Sequence, residues 1–557
     1  RCFHIRDLPG CAWVSVEEYK QYIKEENKKT YCDIELSVDW RKISPVEKDF
    51  NAPLRIASFD IECFSHDGKF PEAKRSQDKI IQIGTTYTYL GESDPYRQHI
   101  VCLGETDPVS GAVVEWYDDE KEMVEAWVKE IIRSDCDIIT GYNIFYFDEN
   151  YIHERAVEQL YNVNSDEKIN VNYLSKMKDY ECRWKEMTLA SSALGENKLK
   201  FWVTPGRVHI DLMKDVQKNN KLNSYRLDNV ASHFIRGQIK SLEKIKKNMY
   251  KLYCTSINDI YLEDYIHLEL IRSFVTDFVG DKCIVKKIDK ENKTLDIFSE
   301  DDLEKEVDFS LGKLFWSQAK DDVSAKDIFN LWASGDSAKR AKVAKYCVKD
   351  CRLVNLLINK LEVVTKNIEF ANLTFTPLSY LFVRGQGIKL LSFIAKEARN
   401  AGMLIPVLEK STANDGYEGA IVLIPKCNLY RDNPVACNDY SSLYPSCMIS
   451  ENISHDTKVW TKEYNLQGKL IKVTGERNEN NEFIYDNLKE YQYVDVTYDT
   501  YKYVRKTPKA AAQKVISGYK ICRFAQYPNN EKAIMPAVLQ ELLASRKATR
   551  KLIKYKT

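Results

Sequence analysis

The chain has 557 residues and 82 basic against 82 acidic side chains, a length that predicts roughly three or four domains rather than one core. Hydrophobic residues make up 44% of it, and no apolar run is long enough to cross a bilayer, which argues against a membrane protein. The 15 cysteines form no CxxC pair and the eight histidines show no zinc-ligand spacing, so we expect reduced thiols and no structural zinc. Because the sequence opens at Arg1 rather than Met, its native N-terminus is expected to be missing.

The first part of the chain alternates predicted strands with predicted helices. Residues 1–52 mix short strands with a charged, helix-like run at Glu17–Lys29 and end in a polar linker. Alternation of strands and helices over about 300 residues indicates a mixed α/β domain. The elements predicted after the linker are strands at Leu54–Glu62, Ile80–Leu90 and Asp137–Gly141, and an amphipathic helix at Lys121–Ile132.

The later part of the chain departs from this alternation. Residues 261–308 read as an insertion built on a small hairpin. Helical periodicity is found at Ser337–Leu361 and Gly387–Asn400. The remaining predicted elements are short strands at Gly416–Cys437, a hairpin region at Lys462–Asn487, and a basic helix at Pro536–Lys554 with proline in its first turn.

Two carboxylates lie on the first strand after the linker. Phe59–Cys63 reads FDIEC, and side chains at i and i+2 of a strand point to one face, so Asp60 and Glu62 share a face. A solvated strand face is the ordinary explanation for such a pair, but the rest of this strand is apolar. Two carboxylates at a strand end are typical ligands of a hard divalent cation.

Two later motifs add further acids. Gly141–Asp148 reads GYNIFYFD, a turn followed by an aromatic residue and an aspartate. Tyr346–Cys351 reads YCVKDC, and on a helix Tyr346 and Asp350 lie on one face because they are four residues apart. Alone, the first motif is equally explained by a structured turn, and the second carries almost no information.

Taken with the strand acids, these motifs resemble the active-site residues of the DEDD 3′→5′ exonucleases of the Tyr subtype in order and separation. Enzymes of that kind hydrolyse phosphodiesters with two metal ions, which activate water and stabilise the leaving oxygen. The resemblance implies Mg²⁺ ligands at Asp60, Glu62, Asp148 and Asp350, a water-orienting Tyr346, and a path for the DNA 3′ end lined by Asn143 and by Phe147, which would stack on a base.

A second group of motifs resembles the polymerase half of family B DNA polymerases. Asn438–Ser446 reads NDYSSLYPS and matches the family signature DxxSLYPS, after a predicted strand at Val435–Cys437. The resemblance implies metal ligation by Asp439 and the carbonyl of Tyr440, backbone contacts to a triphosphate from Ser441, Ser442 and Leu443, and exclusion of a 2′-hydroxyl by Tyr444.

Residues on either side of this signature fit the same family. Tyr417–Ala420 reads YEGA and resembles the YxG(G/A) element, which implies that Tyr417 and Gly419 contact DNA. Residues 501–557 hold 14 Lys or Arg against 2 Asp or Glu, a charge that suits a phosphate backbone. Arg546 and Arg550 form one stripe of the last predicted helix, which resembles the first fingers helix and would grip dNTP phosphates; an ordinary solvated face is the alternative.

Over nearly its whole length the chain resembles the N-terminal part of a delta-type or large-DNA-virus replicative polymerase of family B. The stretches SFDIECFSHDGKFPEAKRSQDKIIQIG and GRVHIDLM carry much of that likeness. The implied fold is α/β and α+β multidomain, with these parts: the end of an N-terminal domain (1–52), an RNase H-like exonuclease domain (53–370, with the insertion at 261–308), a connecting segment (371–430), a partial ferredoxin-like palm (431–520) and the first part of the fingers (521–557).

The implied function is proofreading DNA synthesis in replication, with primer–template DNA, a single-stranded 3′ end and dNTPs as substrates. By family, a sliding clamp is an expected partner, and the nucleus or a viral replication compartment the expected location. The second fingers helix, the YxDTDS motif and the thumb are absent from the sequence, so DNA synthesis by the chain as given is not expected. The alternatives are a stand-alone DEDD exonuclease, against which SLYPS argues, and a degenerate DNA-binding scaffold, against which the intact acids argue.

Overall fold

The structure is a computed structural model, and it describes residues 1–160, 170–191, 195–272, 275–320, 323–405, 423–505, 507 and 513–556. The chain forms two compact units, Arg1–Lys389 and Leu390–Thr557, called here the first and second units. No helix among the described residues is long and apolar enough to span a membrane. The predicted mixed α/β multidomain class is confirmed.

The first residues form small sheets instead of the predicted charged helix. Ile23 is 81% exposed and Tyr19 is 51% exposed, so a helix at Glu17–Lys29 would have no apolar face to bury, and that prediction was wrong. Strands β1 and β4 pair, as do β2 and β3. The elements are α1 (Cys2–Arg6), β1 (Val14–Val16), β2 (Lys20–Tyr22), β3 (Glu35–Ser37) and β4 (Ile43–Pro45).

A six-stranded mixed sheet follows, and the predicted strands and helix of this region are confirmed. Its elements are β5 (Arg55–Cys63), β6 (Ile80–Tyr89), β7 (Arg97–Leu103), β8 (Val113–Tyr117), α2 (Glu120–Arg133), β9 (Ile138–Gly141), α3 (Asp148–Arg155), β10 (Arg183–Ser191), β11 (Gly195–Val203), β12 (Val208–Asp211), α4 (Leu212–Asn219) and α5 (Leu227–Phe234). The strand order is β12-β9-β5-β6-β7-β8, and β10 and β11 form a separate hairpin. Strand β5 therefore lies inside the sheet, parallel to β9 and antiparallel to β6.

A buried ion pair ties the loop between β5 and β6 to two helices. Arg155 of α3 and Glu120 of α2 are 2% and 4% exposed, and the Nε and Nη2 atoms of the guanidinium each donate to the carboxylate at 2.8 Å. Arg155 also donates to the backbone oxygens of Ala73, Arg75 and Ser76. Because both charges are buried, each depends on the other for compensation.

The predicted insertion is a closed barrel, larger than a hairpin and wider than residues 261–308. The strands run in the order β13-β14-β17-β16-β15-β18, and β18 closes the barrel on β13 with Arg236 opposite Ser317. Its interior is apolar and includes the fully buried Trp316. The elements are β13 (Arg236–Lys246), β14 (Met249–Cys254), β15 (Tyr265–Arg272), β16 (Val275–Asp289), β17 (Thr294–Phe298), α6 (Leu303–Glu306) and β18 (Lys313–Ala319).

A long helix after the barrel covers the sheet next to the strand acids. The elements are α7 (Ala325–Ala333), α8 (Ser337–Lys360), α9 (Val363–Thr374) and α10 (Tyr380–Val383). Helix α8 lies against β5 and β6 so closely that a Cβ atom at Gly84 would be 2.7 Å from the Sγ of Cys347. Only glycine permits that approach, and it brings the YCVKDC segment to the edge where the acids of β5 lie.

The second unit contains a four-stranded antiparallel sheet in the order β20-β19-β22-β21. The predicted helices and the hairpin at Lys462–Asn487 are confirmed. The predicted strand at Val435–Cys437 was wrong, because no strand in the described part of the chain pairs with residues 423–442, and residues 423–441 are exposed. The elements are α11 (Gln386–Asn400), α12 (Leu443–Ser450), β19 (Lys458–Asn465), β20 (Leu470–Thr474), β21 (Gln492–Val504), β22 (Gln513–Gln526) and α13 (Ile534–Lys556).

Candidate active site

Four carboxylates and a tyrosine from three elements of the first unit converge. Asp60 and Glu62 lie on one face of β5, and the buried Ile61 between them points the other way. Asp148 is the first residue of α3 and accepts a hydrogen bond from the Ile61 N–H at 3.2 Å. Asp350, on α8, completes the group, which we call the acid cluster (Asp60, Glu62, Asp148 and Asp350).

The electrostatics show how close these acids are. Burial raises the pKa of Asp60 well above its ordinary value, and the charges of Asp148 and Asp350 raise it further. Burial, then the charges of Asp60 and Asp350, act in the same way on the pKa of Glu62. Burial raises the pKa of Asp148 to about 8, although the Ile61 N–H opposes the shift. Cations beside carboxylates that are this buried and this close together would favour their ionised forms.

The donor atoms of the cluster suit a hard divalent cation. Ligand atoms of Asp60, Glu62 and Cys347 lie within 4.8 Å of one another. The Cys347 thiol donates a 3.5 Å hydrogen bond to the Asp60 carbonyl, and its pKa is raised by its hydrogen bond with Cys351 and by burial. A thiol that keeps its proton is a poor metal ligand. The carboxylate oxygens are the ligands that fit, and oxygen is what Mg²⁺ prefers.

A lysine that the motifs do not include belongs to the site. Lys320 follows β18, and its Nζ lies 2.7 Å from Oδ2 of Asp350 and 4.7 Å from the centroid of the Tyr346 ring. Burial alone would lower the pKa of Lys320, but Asp350 and Tyr346 raise it overall. The lysine therefore carries a positive charge that holds Asp350 and Tyr346 together. Nothing in the local sequence pattern marks it, since its partners are 26 or more residues away.

The turn before Asp148 is held by a second residue that sequence reasoning missed. Asp211, at the end of β12, accepts from the backbone N–H groups of Asn143 at 2.9 Å and Phe145 at 3.2 Å. Asn143 has φ +65°, a left-handed conformation that asparagine tolerates. A Cβ atom at Gly141 would be 2.6 Å from the carbonyl oxygen of Phe59, so the turn requires glycine there. These contacts place Asp148 against β5.

An aromatic pair lies beside the cluster. Phe147, half-buried and directly before Asp148, has its ring centroid 5.4 Å from that of Phe70 and 5.5 Å from that of Tyr151. Phe70 is 71% exposed and comes from the loop between β5 and β6, where the sequence showed no signal for it. Exposed aromatic faces of this kind can stack on unpaired bases.

Comparison with known proteins agrees with this geometry. The model of the DNA polymerase family B exonuclease domain matches residues 1–230, and the DNA polymerase family B model matches residues 376–557. The chain belongs to the family B DNA polymerases. The exonuclease match contains the acids of β5 and Asp148, and the polymerase match contains the SLYPS signature.

Relatives of this family B chain include viral and cellular enzymes. It is 39% identical to the DNA polymerase of Phaeocystis pouchetii virus over 86% of the chain and 46% of the relative, and 42% identical to that of Pyramimonas orientalis virus over 86% of the chain and 35% of the relative. It is 29% identical to the DNA polymerase delta catalytic subunit of Mesocricetus auratus over 81% of the chain and 33% of that subunit. The chain thus spans less than half the length of these relatives.

A solved structure supports the fold of this family B chain. The family B DNA polymerase from the archaeon Pyrobaculum calidifontis matches 99% of the chain and 49% of its own length, with a TM-score of 0.51 and 19% identity.

In the second unit of this family B chain, the SLYPS signature forms a turn and the start of a helix. Ser441 and Ser442 turn the chain, Ser442 with φ +53°, and α12 begins at Leu443. Asp439 follows an exposed irregular segment rather than the predicted strand, and Tyr440 and Tyr444 are exposed.

The basic helix of the second unit is confirmed, and α13 packs against α12, the helix that begins within the signature. Arg546 and Arg550 are exposed on α13. Within the described ranges no side-chain hydrogen bond or ion pair joins either arginine to Asp439. Tyr417 and Gly419 lie outside the described residues, so the structure does not bear on their predicted contact with DNA.

Proposed function

We propose that the first unit removes nucleotides from the single-stranded 3′ end of DNA in an Mg²⁺-dependent reaction, as the proofreading part of a replicative DNA polymerase. The observation that carries this proposal is the convergence of the acid cluster and Tyr346 from β5, α3 and α8. The cluster holds hard oxygen donors and offers no side-chain nucleophile, which favours hydrolysis by an activated water.

In this proposal Asp60, Glu62, Asp148 and Asp350 would hold two Mg²⁺ ions. Such ions, when bound, activate a water molecule and stabilise the oxygen that leaves. The Tyr346 hydroxyl orients the attacking water, and the Nζ atom of Lys320 pairs with the Asp350 carboxylate at 2.7 Å. Asn143 lines the path of the DNA 3′ end. Phe147 and its neighbour Phe70 receive the terminal base by stacking.

The second unit is proposed to belong to the polymerase site of the parent enzyme. Asp439 and the Tyr440 carbonyl would ligate metal, with Ser441–Leu443 on the triphosphate, Tyr444 against the sugar, and Arg546 and Arg550 on the phosphates. Tyr417 and Gly419 would contact DNA. The SLYPS match is what favours this assignment over a stand-alone exonuclease.

The domain bounds, partners and location are part of the same proposal. The bounds predicted at 53–370, 371–430, 431–520 and 521–557 stay predictions, although β22 (Gln513–Gln526) continues across the last of them. Primer–template DNA and dNTPs are the proposed substrates of the parent enzyme, and a sliding clamp its proposed partner. The viral and delta-type relatives support a role in replication, with the nucleus or a viral replication compartment as its location.

The substrate can be tested with primers that differ only at their 3′ end. A primer with two terminal mismatches is expected to be shortened about tenfold or more faster than its matched counterpart. A paired end must first unstack, which costs roughly 1.4 kcal/mol per base-pair step and therefore lowers the rate about tenfold for each step. The measurement is the initial rate of shortening of 5′-labelled primer in Mg²⁺ without dNTPs. Equal rates would argue against a site that takes single-stranded ends.

Lys320 provides a second test of the site. Lys320→Met is expected to slow nucleotide release by roughly tenfold to a hundredfold, because Asp350 loses a charge-assisted partner worth about 1.5–3 kcal/mol. Since the Lys320 charge lowers the pKa values of Asp60 and Glu62, its removal raises them and moves the acidic limb of the pH–rate profile to higher pH.

The matched control is Lys313→Met, which changes an exposed lysine at the start of β18, the strand that Lys320 follows. That variant should keep the parental rate and pH profile. An unshifted acidic limb in Lys320→Met, with a parental rate, would show that the lysine plays no part in the site.

A further inference from the structure

A second cleft lies in the first unit and shares no lining residue with the acid cluster. It is formed by the β10–β11 hairpin, the segment that enters β12, and α10, and its volume is about 470 Å³. That volume falls within the usual range of small-molecule sites. No Asp or Glu is among its lining residues in the part of the chain that the structure describes.

The floor of this cleft holds polar atoms that lack partners. Thr204, Arg207 and His209 are 5–6% exposed, and the Oγ1, Nη2 and Nε2 atoms of these three side chains have no hydrogen-bond partner among the residues that the structure describes. Arg207 directly precedes β12 and His209 is the second residue of that strand, so the two lie next to each other where the chain enters the sheet. Three unpaired polar groups on one floor are unusual, because each costs free energy when buried.

The positive charge at the floor of the cleft is the guanidinium of Arg207. The Nε and Nη1 atoms of Arg207 donate to the backbone oxygens of Leu174 and Cys136, and no described carboxylate pairs with the guanidinium. The Nδ1 atom of His209 lies 2.7 Å from the Glu149 carboxylate, which leaves Nε2 as the unpaired atom of the ring. Nη1 of Arg207 also lies 3.3 Å from the Sγ atom of Cys136. A buried guanidinium held by carbonyl groups and a sulfur is compensated when an anion binds to it.

The rim of the cleft contains arginine side chains and aromatic rings. Arg183 on the hairpin and Arg384 after α10 are exposed and line the cleft. Trp184 stacks on His153 with ring centroids 3.9 Å apart, and the Arg384 guanidinium lies 5.4 Å from the Tyr380 ring. Trp184 and Tyr380 are half-buried. Arginines beside aromatic rings are the groups that bind a phosphate and a base together.

We propose that this cleft binds one nucleotide, with its phosphate on Arg207 and Thr204 and its base against Trp184 or Tyr380. Two ligands would present this phosphate and base: a free deoxynucleoside monophosphate, and a nucleotide within single-stranded DNA. Binding here does not depend on hydrolysis at the acid cluster, so it can be tested separately from the proposed function.

The test is tryptophan fluorescence of the full chain in EDTA, titrated with dAMP, deoxyadenosine, inorganic phosphate and an oligothymidylate of about eight nucleotides. Saturable quenching by dAMP or by the oligonucleotide is expected, with deoxyadenosine at least about tenfold weaker because it lacks the phosphate. Tighter binding of the oligonucleotide identifies a DNA strand as the source, and tighter binding of dAMP identifies the free nucleotide.

The exposed double variant Arg183→Gln with Arg384→Gln is expected to weaken binding about tenfold or more, and Arg207→Met to abolish it. The matched control Lys198→Gln, exposed on the same hairpin but outside the cleft, should bind as the parent does. The variant Asp60→Ala with Glu62→Ala should also bind as the parent does. The proposal is overturned if nothing quenches up to about 1 mM, if deoxyadenosine equals dAMP, if the double variant equals Lys198→Gln, or if the acid variant loses binding.

Discussion

Asp60→Ala combined with Glu62→Ala is expected to lower the rate of 3′-nucleotide release by at least about a thousandfold. The two carboxylates share a face of β5, and their ligand atoms lie within 4.8 Å of each other, so together they define the cation site. Without them Asp148 and Asp350 remain, on different helices, and two carboxylates do not replace the donor set of four. The measurement is the single-turnover rate on 5′-labelled single-stranded DNA.

The control for this double variant loses the same number of negative charges. Asp118→Ala with Glu122→Ala removes two exposed acids near the start of α2 and should leave the rate unchanged. Chelation of divalent cations in the parent should lower the rate as far as the β5 variant does, and added Mg²⁺ should restore it. If Asp60→Ala with Glu62→Ala digested DNA at the parental rate, the acid cluster would have no part in the reaction.

Arg155→Met is expected to lower the free energy of unfolding of the first unit by about 3–5 kcal/mol, because it leaves the buried Glu120 carboxylate without its cation. The backbone oxygens of Ala73, Arg75 and Ser76 lose their donor at the same time, so the loop that carries Phe70 should loosen. The measurement is urea unfolding followed by tryptophan fluorescence, which reports mainly on the first unit since eight of the nine tryptophans lie there.

Arg133→Met is the matched control for that variant. Arg133 of α2 pairs with Glu130, but its side chain is 64% exposed, and Glu130 keeps Arg97 as a partner at 2.7 Å. Because the arginine is exposed and the buried Glu130 carboxylate keeps a second cation, we expect this variant to lose about 1 kcal/mol or less. If the two variants lost the same small amount of stability, the Arg155–Glu120 pair would not hold the loop as described.

The parts of the site that sequence patterns predicted are those set by local geometry. Asp60 and Glu62 share a face because strands alternate, and Tyr346 and Asp350 share a face because helices repeat every 3.6 residues. Lys320 and Asp211 could not be found in this way. Their roles arise only when β18 meets α8 and when β12 meets the turn before α3.

The difference between local patterns and long-range pairing also explains which predictions about the fold were wrong. The barrel depends on the pairing of β13 with β18, in which Arg236 lies opposite Ser317, and no local pattern reports a pairing over that separation. Conversely, Val435–Cys437 has strand-like residues but no partner strand among the described residues. A strand without a neighbour cannot satisfy its backbone hydrogen bonds, so propensity alone misled there.

The most direct test of the central claim is the polarity of digestion by the purified chain. Single-stranded DNA labelled at its 5′ end is incubated with Mg²⁺, and the products are resolved at single-nucleotide steps over time. A 3′→5′ exonuclease is expected to give a ladder that shortens one nucleotide at a time from the 3′ end and to release deoxynucleoside monophosphates. Immediate release of the labelled 5′ nucleotide, internal cleavage, or intact DNA with the folded chain would contradict it.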